Sequence, residues 1–246
     1  MVIWHTIESG CPMCGNRVRL REVGGGFALG QDSDLLVRMK DKHVLQALIH
    51  TCLRCRFSGY DEDFQISIAP DVAERFRKFV TPQLGAPGAE PRATPLPDVQ
   101  YYWAFRAAEA LGKSHGELGR LLLRAYWCLR LAPSLDLSEE EHEARRRLYL
   151  PAAIAQLSQD AAREGDAIHH YLLGELSRRN GQFSAAIDFF HQALEYGSDE
   201  DDPPDSRQRQ LPRYLRLAAH KLLRAAEECD SRDRTMEEII YADSPD

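Results

Sequence analysis

Four cysteines constrain this chain more than any other residues. Cys11 and Cys14 lie in Cys11-Pro12-Met13-Cys14-Gly15, and Cys52 and Cys55 lie in Cys52-Leu53-Arg54-Cys55. Two CxxC pairs separated by a strand-rich stretch have the pattern of a zinc ribbon. Each CxxC turn presents two thiolates to one point, and two such turns complete the tetrahedron that zinc prefers. The glycine after the first pair suits a turn that needs φ > 0. One structural Zn2+ ion on Cys11, Cys14, Cys52 and Cys55 is therefore expected. Four thiolates leave no open position for water or substrate, which argues against a catalytic zinc. A redox CxxC usually opens a helix in a βαβ unit, and neither pair does so here. His50 precedes Cys52 by two residues, but with four cysteines at hand it reads as a strand or surface residue.

The chain has 246 residues and 43% hydrophobic content, enough for two domains with packed cores. Its net charge of -7 argues against a polyanion binder built from the whole chain, though not against a local basic patch. No apolar run is long enough to span a bilayer. The start, Met1-Val2-Ile3-Trp4-His5, lacks the charged-then-apolar layout of a signal peptide. Cys128 and Cys229 each fall in an apolar helical pattern and read as buried thiols in a reducing compartment. A cytoplasmic protein with no membrane partner is expected.

Residues 1–80 read as a zinc-ribbon-like domain with a trailing helix. Val18 and Leu20 alternate with Arg17, Arg19 and Arg21, the period of a half-exposed strand, until Gly24-Gly25-Gly26 breaks it. The insertion between the cysteine pairs, including Gln31-Asp32-Ser33-Asp34, reads as a variable loop. Pro70 suits a first helical turn, with Val72, Phe76, Phe79 and Val80 on one face. Residues 81–98 hold Pro82, Pro87, Pro91, Pro95 and Pro97 and read as a linker.

Residues 99–230 read as helical, and 231–246 as a polar, frayed tail. Gly112 is placed to cap a helix over 99–111, and a second helix follows over 114–131. Ser138 with Glu141 forms a capping box. Pro151 is expected to kink or split the helix that follows. Helices over 168–180 and 184–196 turn at Asn180-Gly181, and the acidic run Ser198–Asp205 separates them from a last helix to Cys229. Gly174, Gly181, Phe183, Ala186, Phe190, Ala193 and Leu194 fall at the spacing of a tetratricopeptide repeat. The fold class expected is α+β: a small N-terminal ribbon of short strands, then a mostly helical, tetratricopeptide-like domain.

With a CPxCG knuckle, a second knuckle, the stretch Arg124-Ala125-Tyr126-Trp127 and the hairpin YLLGELSRRNG, residues 8–197 resemble the bacterial domain-of-unknown-function family 2225. That family's second knuckle usually reads CPxCGYA, where this chain has Cys52-Leu53-Arg54-Cys55-Arg56-Phe57. The resemblance implies the architecture and leaves the biochemical role open.

No GxSxG, phosphate-binding glycine loop or HExxH is present. The expected function is that of a non-enzymatic adaptor: a structural ribbon and a helical groove for a peptide or protein partner. Tyr102, Phe105, His170, Ser177 and Arg178, on the first helix of each hairpin, are the candidate groove residues. His169 and His170 are neighbours on one helix and point to different faces, so they read as groove or packing residues. An alternative is a nucleic-acid-binding regulator acting through Arg17, Arg19 and Arg21. Asp61, Glu62 and Asp63, four thiolates and the lack of interleaved aromatics weigh against it. A second alternative is a thiol–disulfide redox protein.

Overall fold

Strand pairing begins where the sequence alternates. In a computed structural model of the chain, β1 (Trp4–Gly10) pairs antiparallel with β2 (Arg17–Val23), from Trp4 opposite Val23 to Gly10 opposite Arg17. The first cysteine knuckle is the turn of this hairpin. The structure describes residues 4–24, 26–41, 43–84, 95–131, 137–160, 166–195 and 211–241. Two further strands, β3 (Ala28–Gln31) and β4 (Val37–Met39), form a second ladder, and α1 (His43–Ala47) follows. The last hairpin joins β5 (His50–Thr51) to β6 (Ser58–Gly59), with the second cysteine knuckle as its turn. The chain is α+β, as its sequence predicts.

The division into compact units differs from the expected boundary at 81–98. One unit is Met1–Phe27 with Met39–Gln156, and the other is Ala28–Arg38 with Leu157–Asp246. Residues 85–94 of the Pro/Gly-rich stretch, Gly25, and the acidic run Ser198–Asp205 lie outside the described residues.

In the first unit, Val18, Leu20, Phe57, Phe64 and Phe76 close over the cysteines. Phe57 meets Phe64 and Phe76 edge-on, at centroid distances of 5.3 and 6.0 Å, the arrangement that aromatic quadrupoles favour. Pro70 opens α2 (Pro70–Arg75), which passes into a π turn over Phe76–Val80. The π turn breaks the single face expected here: Phe76 is buried and Phe79 is exposed. The next helices are α3 (Pro97–Ala110), α4 (His115–Leu131) and α5 (Glu139–Leu157). Gly112, at φ +71°, closes α3 in a Schellman motif, with Gly112 N–H on Glu109 and Lys113 N–H on Ala108. The Ser138–Glu141 capping box forms in both directions. α5 runs through Pro151 unbroken, contrary to the expected split. Tyr149, Leu150 and Ala153 are buried on either side of the proline, and their packing outweighs one lost N–H donor. Arg145 leaves the surface ladder of its helix and reaches buried Asp98 on α3 at 2.8 Å, where Tyr149 also donates.

In the second unit, α6 (Ala167–Arg179) and α7 (Phe183–Glu195) turn at Gly181, and α8 (Arg213–Glu227) and α9 (Met236–Tyr241) follow. Gly174 is needed for close approach: a Cβ there would lie 2.8 Å from the Phe190 ring. Within the expected frayed tail, Met236–Tyr241 form α9, with Met236 and Ile239 in the core, and residues 242–246 lie outside the described residues. Cys229 is not in the apolar stripe of its helix. It lies exposed beyond the end of α8 at φ +55°, while Cys128 is buried as expected.

The insertion expected as a variable loop is also ordered, and it carries charge into the helical core. Ser33 and Asp34 are fully buried. Ser33 Oγ donates to Glu175 Oε1, and Tyr171 Oη donates to the Ser33 carbonyl at 2.9 Å. Arg179 reaches Glu175 at 2.6 Å and Asp34 at 3.4 Å, and Arg178 reaches Glu175 at 2.7 Å. Burial pushes the Glu175 carboxyl up, but Arg179 and Arg178 outweigh it and hold the group below its ordinary range. No helix among the described residues is long and apolar enough to cross a membrane.

Replacing Arg179 with Leu leaves Glu175 and Asp34 buried without their shared cation. Urea denaturation should show a loss of about 3–5 kcal/mol, against less than about 0.5 kcal/mol for exposed Arg147→Leu. The Glu175 contribution is present above the ordinary carboxylate pKa, because the folded state holds the group lower. It should be lost as pH falls through and below that range.

Candidate metal centre

Both knuckles are built by the same two backbone hydrogen bonds. Cys11 N–H donates to the Asn16 carbonyl at 2.8 Å, and Gly15 N–H returns to the Cys11 carbonyl at 2.8 Å. In the second, Cys52 N–H donates to Phe57 at 2.8 Å and Arg56 N–H returns to Cys52 at 2.7 Å. The returning residue must enter the left-handed region. Gly15 does so at φ +72°, and Arg56 does so at φ +64°. The chain therefore makes the second turn without the glycine that it uses in the first. The Arg56 guanidinium lies 4.8 Å from the centre of the Trp103 ring, a contact that anchors the side chain.

The two turns bring Cys11, Cys14, Cys52 and Cys55 together, with all four sulfurs within 4.8 Å of one another. Cys11 and Cys55 are 3.6 Å apart at sulfur, as are Cys14 and Cys52. This is too long for a disulfide bond. It is close to the edge of a tetrahedron with metal–sulfur bonds of about 2.3 Å, which is about 3.8 Å. Three of the four cysteines are buried. Hydrogen bonds from neighbouring thiols hold Cys52 below its ordinary range, while the bond to Cys52 pushes Cys11 up to about 12. Cys55 is pushed up as well, chiefly by Cys11. Thiolates this close repel one another, so ionising all four calls for a cation among the sulfurs. The donor set thus fits a thiophilic metal ion.

The other candidate residues are placed differently. His50 is buried, with Nε2 3.0 Å from Asp61 Oδ1, and it stands apart from the cysteine group. His169 contacts the Leu157 carbonyl and His170 the Asp166 carbonyl, each at 3.0 Å, so the two rings face different neighbours. Of the expected groove residues, Ser177 and Arg178 are fully buried and His170 nearly so. Arg178 is turned inward by Glu175 and by the Arg232 carbonyl. Phe105 is buried too, and Tyr102, partly exposed, stacks at 5.7 Å on Tyr149. Tyr102 and Phe105 belong to one compact unit and the other three to the second. Arg17, Arg19 and Arg21 are exposed on β2, alternating with buried Val18 and Leu20. Sequence reasoning missed Arg56 and Trp103. The signal was available in the spacing, because Arg56 holds the position after the second pair that Gly15 holds after the first.

Space around Gly15 is open, so a Cβ there meets no neighbour and only the backbone resists it. Gly15→Ala should lower the stability of the first unit by about 1–2 kcal/mol, read by thermal or chemical denaturation.

Family comparison agrees with this geometry. The model for a family described as "Uncharacterized protein conserved in bacteria (DUF2225)" matches residues 6–211, a span that holds both knuckles and the helices through α7. No curated protein and no solved structure matches the sequence. With most of its length covered, the chain belongs to the DUF2225 family of bacterial proteins.

Proposed function

We propose that this chain is a non-enzymatic binding protein whose cysteine cluster holds one structural zinc ion. The observation that carries this reading is the pair of 3.6 Å sulfur separations, which match the edges of a zinc tetrathiolate. Four protein donors complete the coordination shell, so the ion has no position at which to activate water. Its contribution is to hold two short hairpins whose aromatic core is small, and its binding energy is then part of the folding energy. Cysteines kept as free thiols suit a reducing compartment such as the cytoplasm.

The reading of α6 and α7 as a tetratricopeptide-like groove for a peptide has less support, because Ser177, Arg178 and His170 are not at the surface. The strand face of Arg17, Arg19 and Arg21 has the opposite property, since its side chains are exposed. That favours the ribbon over the helical hairpin as the surface that meets a partner.

Elemental analysis of protein purified without added metal should find one zinc per chain. Iron also accepts four thiolates in a tetrahedron, so a coloured, iron-containing protein would overturn the zinc assignment. Stripping the ion with a chelator, or replacing Cys52 with Ser, should abolish the near-ultraviolet circular dichroism of the ribbon aromatics. Zinc retention should also fall steeply as pH drops, because bound thiolates must take up protons to be released. Metal-free protein that stays folded and reduces disulfides would instead support the redox alternative.

A further inference from the structure

β2 carries three arginines in one exposed row. Side chains of Arg17 and Arg19 are 89% and 82% exposed, and Arg21 follows on the same face. Alternate residues on a strand are about 6.6–6.8 Å apart, comparable with the distance between successive phosphates in an extended nucleic-acid strand. The row borders an open cleft of about 890 Å³. The same cleft is lined by Gln46, Thr51 and Leu53, which place polar and apolar surface beside the row of cations, with Thr51 Oγ1 itself bonded to Ser58 and Gln100. Leu53, in the second knuckle, is 43% exposed.

We propose that this cleft binds single-stranded nucleic acid, with the arginine row on successive phosphates and bases against the rest of the lining. The inference rests on the reading of the ribbon as a metal-stapled binding module. The charge of this part of the first unit agrees with it: residues 1–27 and 39–60 hold seven Lys and Arg against three Asp and Glu, in a chain whose net charge is -7. Two of the three acidic residues that follow, Asp61 and Asp63, are engaged elsewhere. Asp61 contacts His50 at 3.0 Å, and Asp63 accepts from the Tyr60 N–H at 2.9 Å and lies 3.8 Å from Lys113. Glu8 is the anion that lies in the row itself, 3.8 Å from Arg17 and 3.9 Å from Arg19. Both contacts are long and exposed, so a phosphate can replace Glu8 as the partner of either arginine. A cleft rather than a flat face favours a single strand, whose bases can turn toward donors and acceptors, over a duplex.

The test is fluorescence anisotropy of labelled 12-nucleotide oligouridine and oligothymidine with the full-length, zinc-loaded protein across a salt series. Binding should weaken with salt at a log–log slope of about -2, the value for three phosphates on a single strand. The triple variant R17Q/R19Q/R21Q should bind at least tenfold more weakly at low salt, and Glu8→Gln should bind more tightly. A 12-base-pair duplex and poly-glutamate should compete poorly. The proposal is overturned if the wild type does not bind, if the triple variant binds as the wild type does, or if poly-glutamate competes as well as oligonucleotide. Zinc content and near-ultraviolet circular dichroism of the same samples separate the two readings. Absent zinc counts against the structural ion, whereas folded, zinc-loaded protein that ignores oligonucleotide counts against the cleft alone.

Discussion

The first unit depends on a turn that forces its fifth residue into the left-handed region. At each knuckle the first cysteine donates across the hairpin, and the residue four places on donates back to its carbonyl. That ring of hydrogen bonds aims two sulfurs at one point, and it forms only if the returning residue accepts a positive φ. Glycine meets the requirement at position 15 without steric cost. At position 56 an arginine meets it, and the left-handed backbone costs about 1–2 kcal/mol for a residue with a Cβ. A cation–π contact with Trp103 returns about 0.5–1 kcal/mol. The contact recovers about half of that cost, and the hairpin hydrogen bonds of the turn must carry the rest. Packing of Trp103 on α3 thus supports a knuckle far from it in sequence.

The second unit depends on a different kind of constraint. Glu175, Arg178 and Arg179 are all removed from water, and Asp34 and Ser33 complete their coordination from 140 or so residues earlier in the chain. Charges buried this way contribute little net stability when intact, because desolvation offsets most of their attraction. Their effect is on specificity. Ser33 supplies a hydroxyl and Asp34 a carboxylate at that point, so the buried charges favour the position of residues 28–38 in which both are used. An insertion between two cysteine knuckles is thereby made part of a helical core rather than a surface loop.

This explains which features were legible in the sequence. Short-range patterns were: the alternation that exposes Arg17, Arg19 and Arg21, the glycine caps at 112 and 181, the Ser138–Glu141 box, and the spacing that gathers four cysteines. Each is decided within a few residues. Long-range partners were not. Helical periodicity puts Ser177 and Arg178 on a face of α6, but it cannot say that Ser33, Asp34 and the segment before α9 cover that face. Pro151 was misread for a related reason, since the rule about proline in helices weighs one hydrogen bond and not the buried Tyr149, Leu150 and Ala153 beside it.

The same distinction bears on where a partner would bind. A side chain whose charge is matched inside the fold has little left to offer a ligand, and Arg178 and Arg179 are matched. Among the described residues, Arg17 and Arg19 pair with Glu8, at distances near the limit of an ion pair and with both partners in water. An exposed cation keeps its attraction for a phosphate because desolvation on binding is partial and counterions are released. The four sulfurs below the first knuckle add negative charge when ionised, which a dication halves from four to two. A divalent ion held there would reduce the anionic charge beside Arg17 and so weaken the field that opposes an incoming anion.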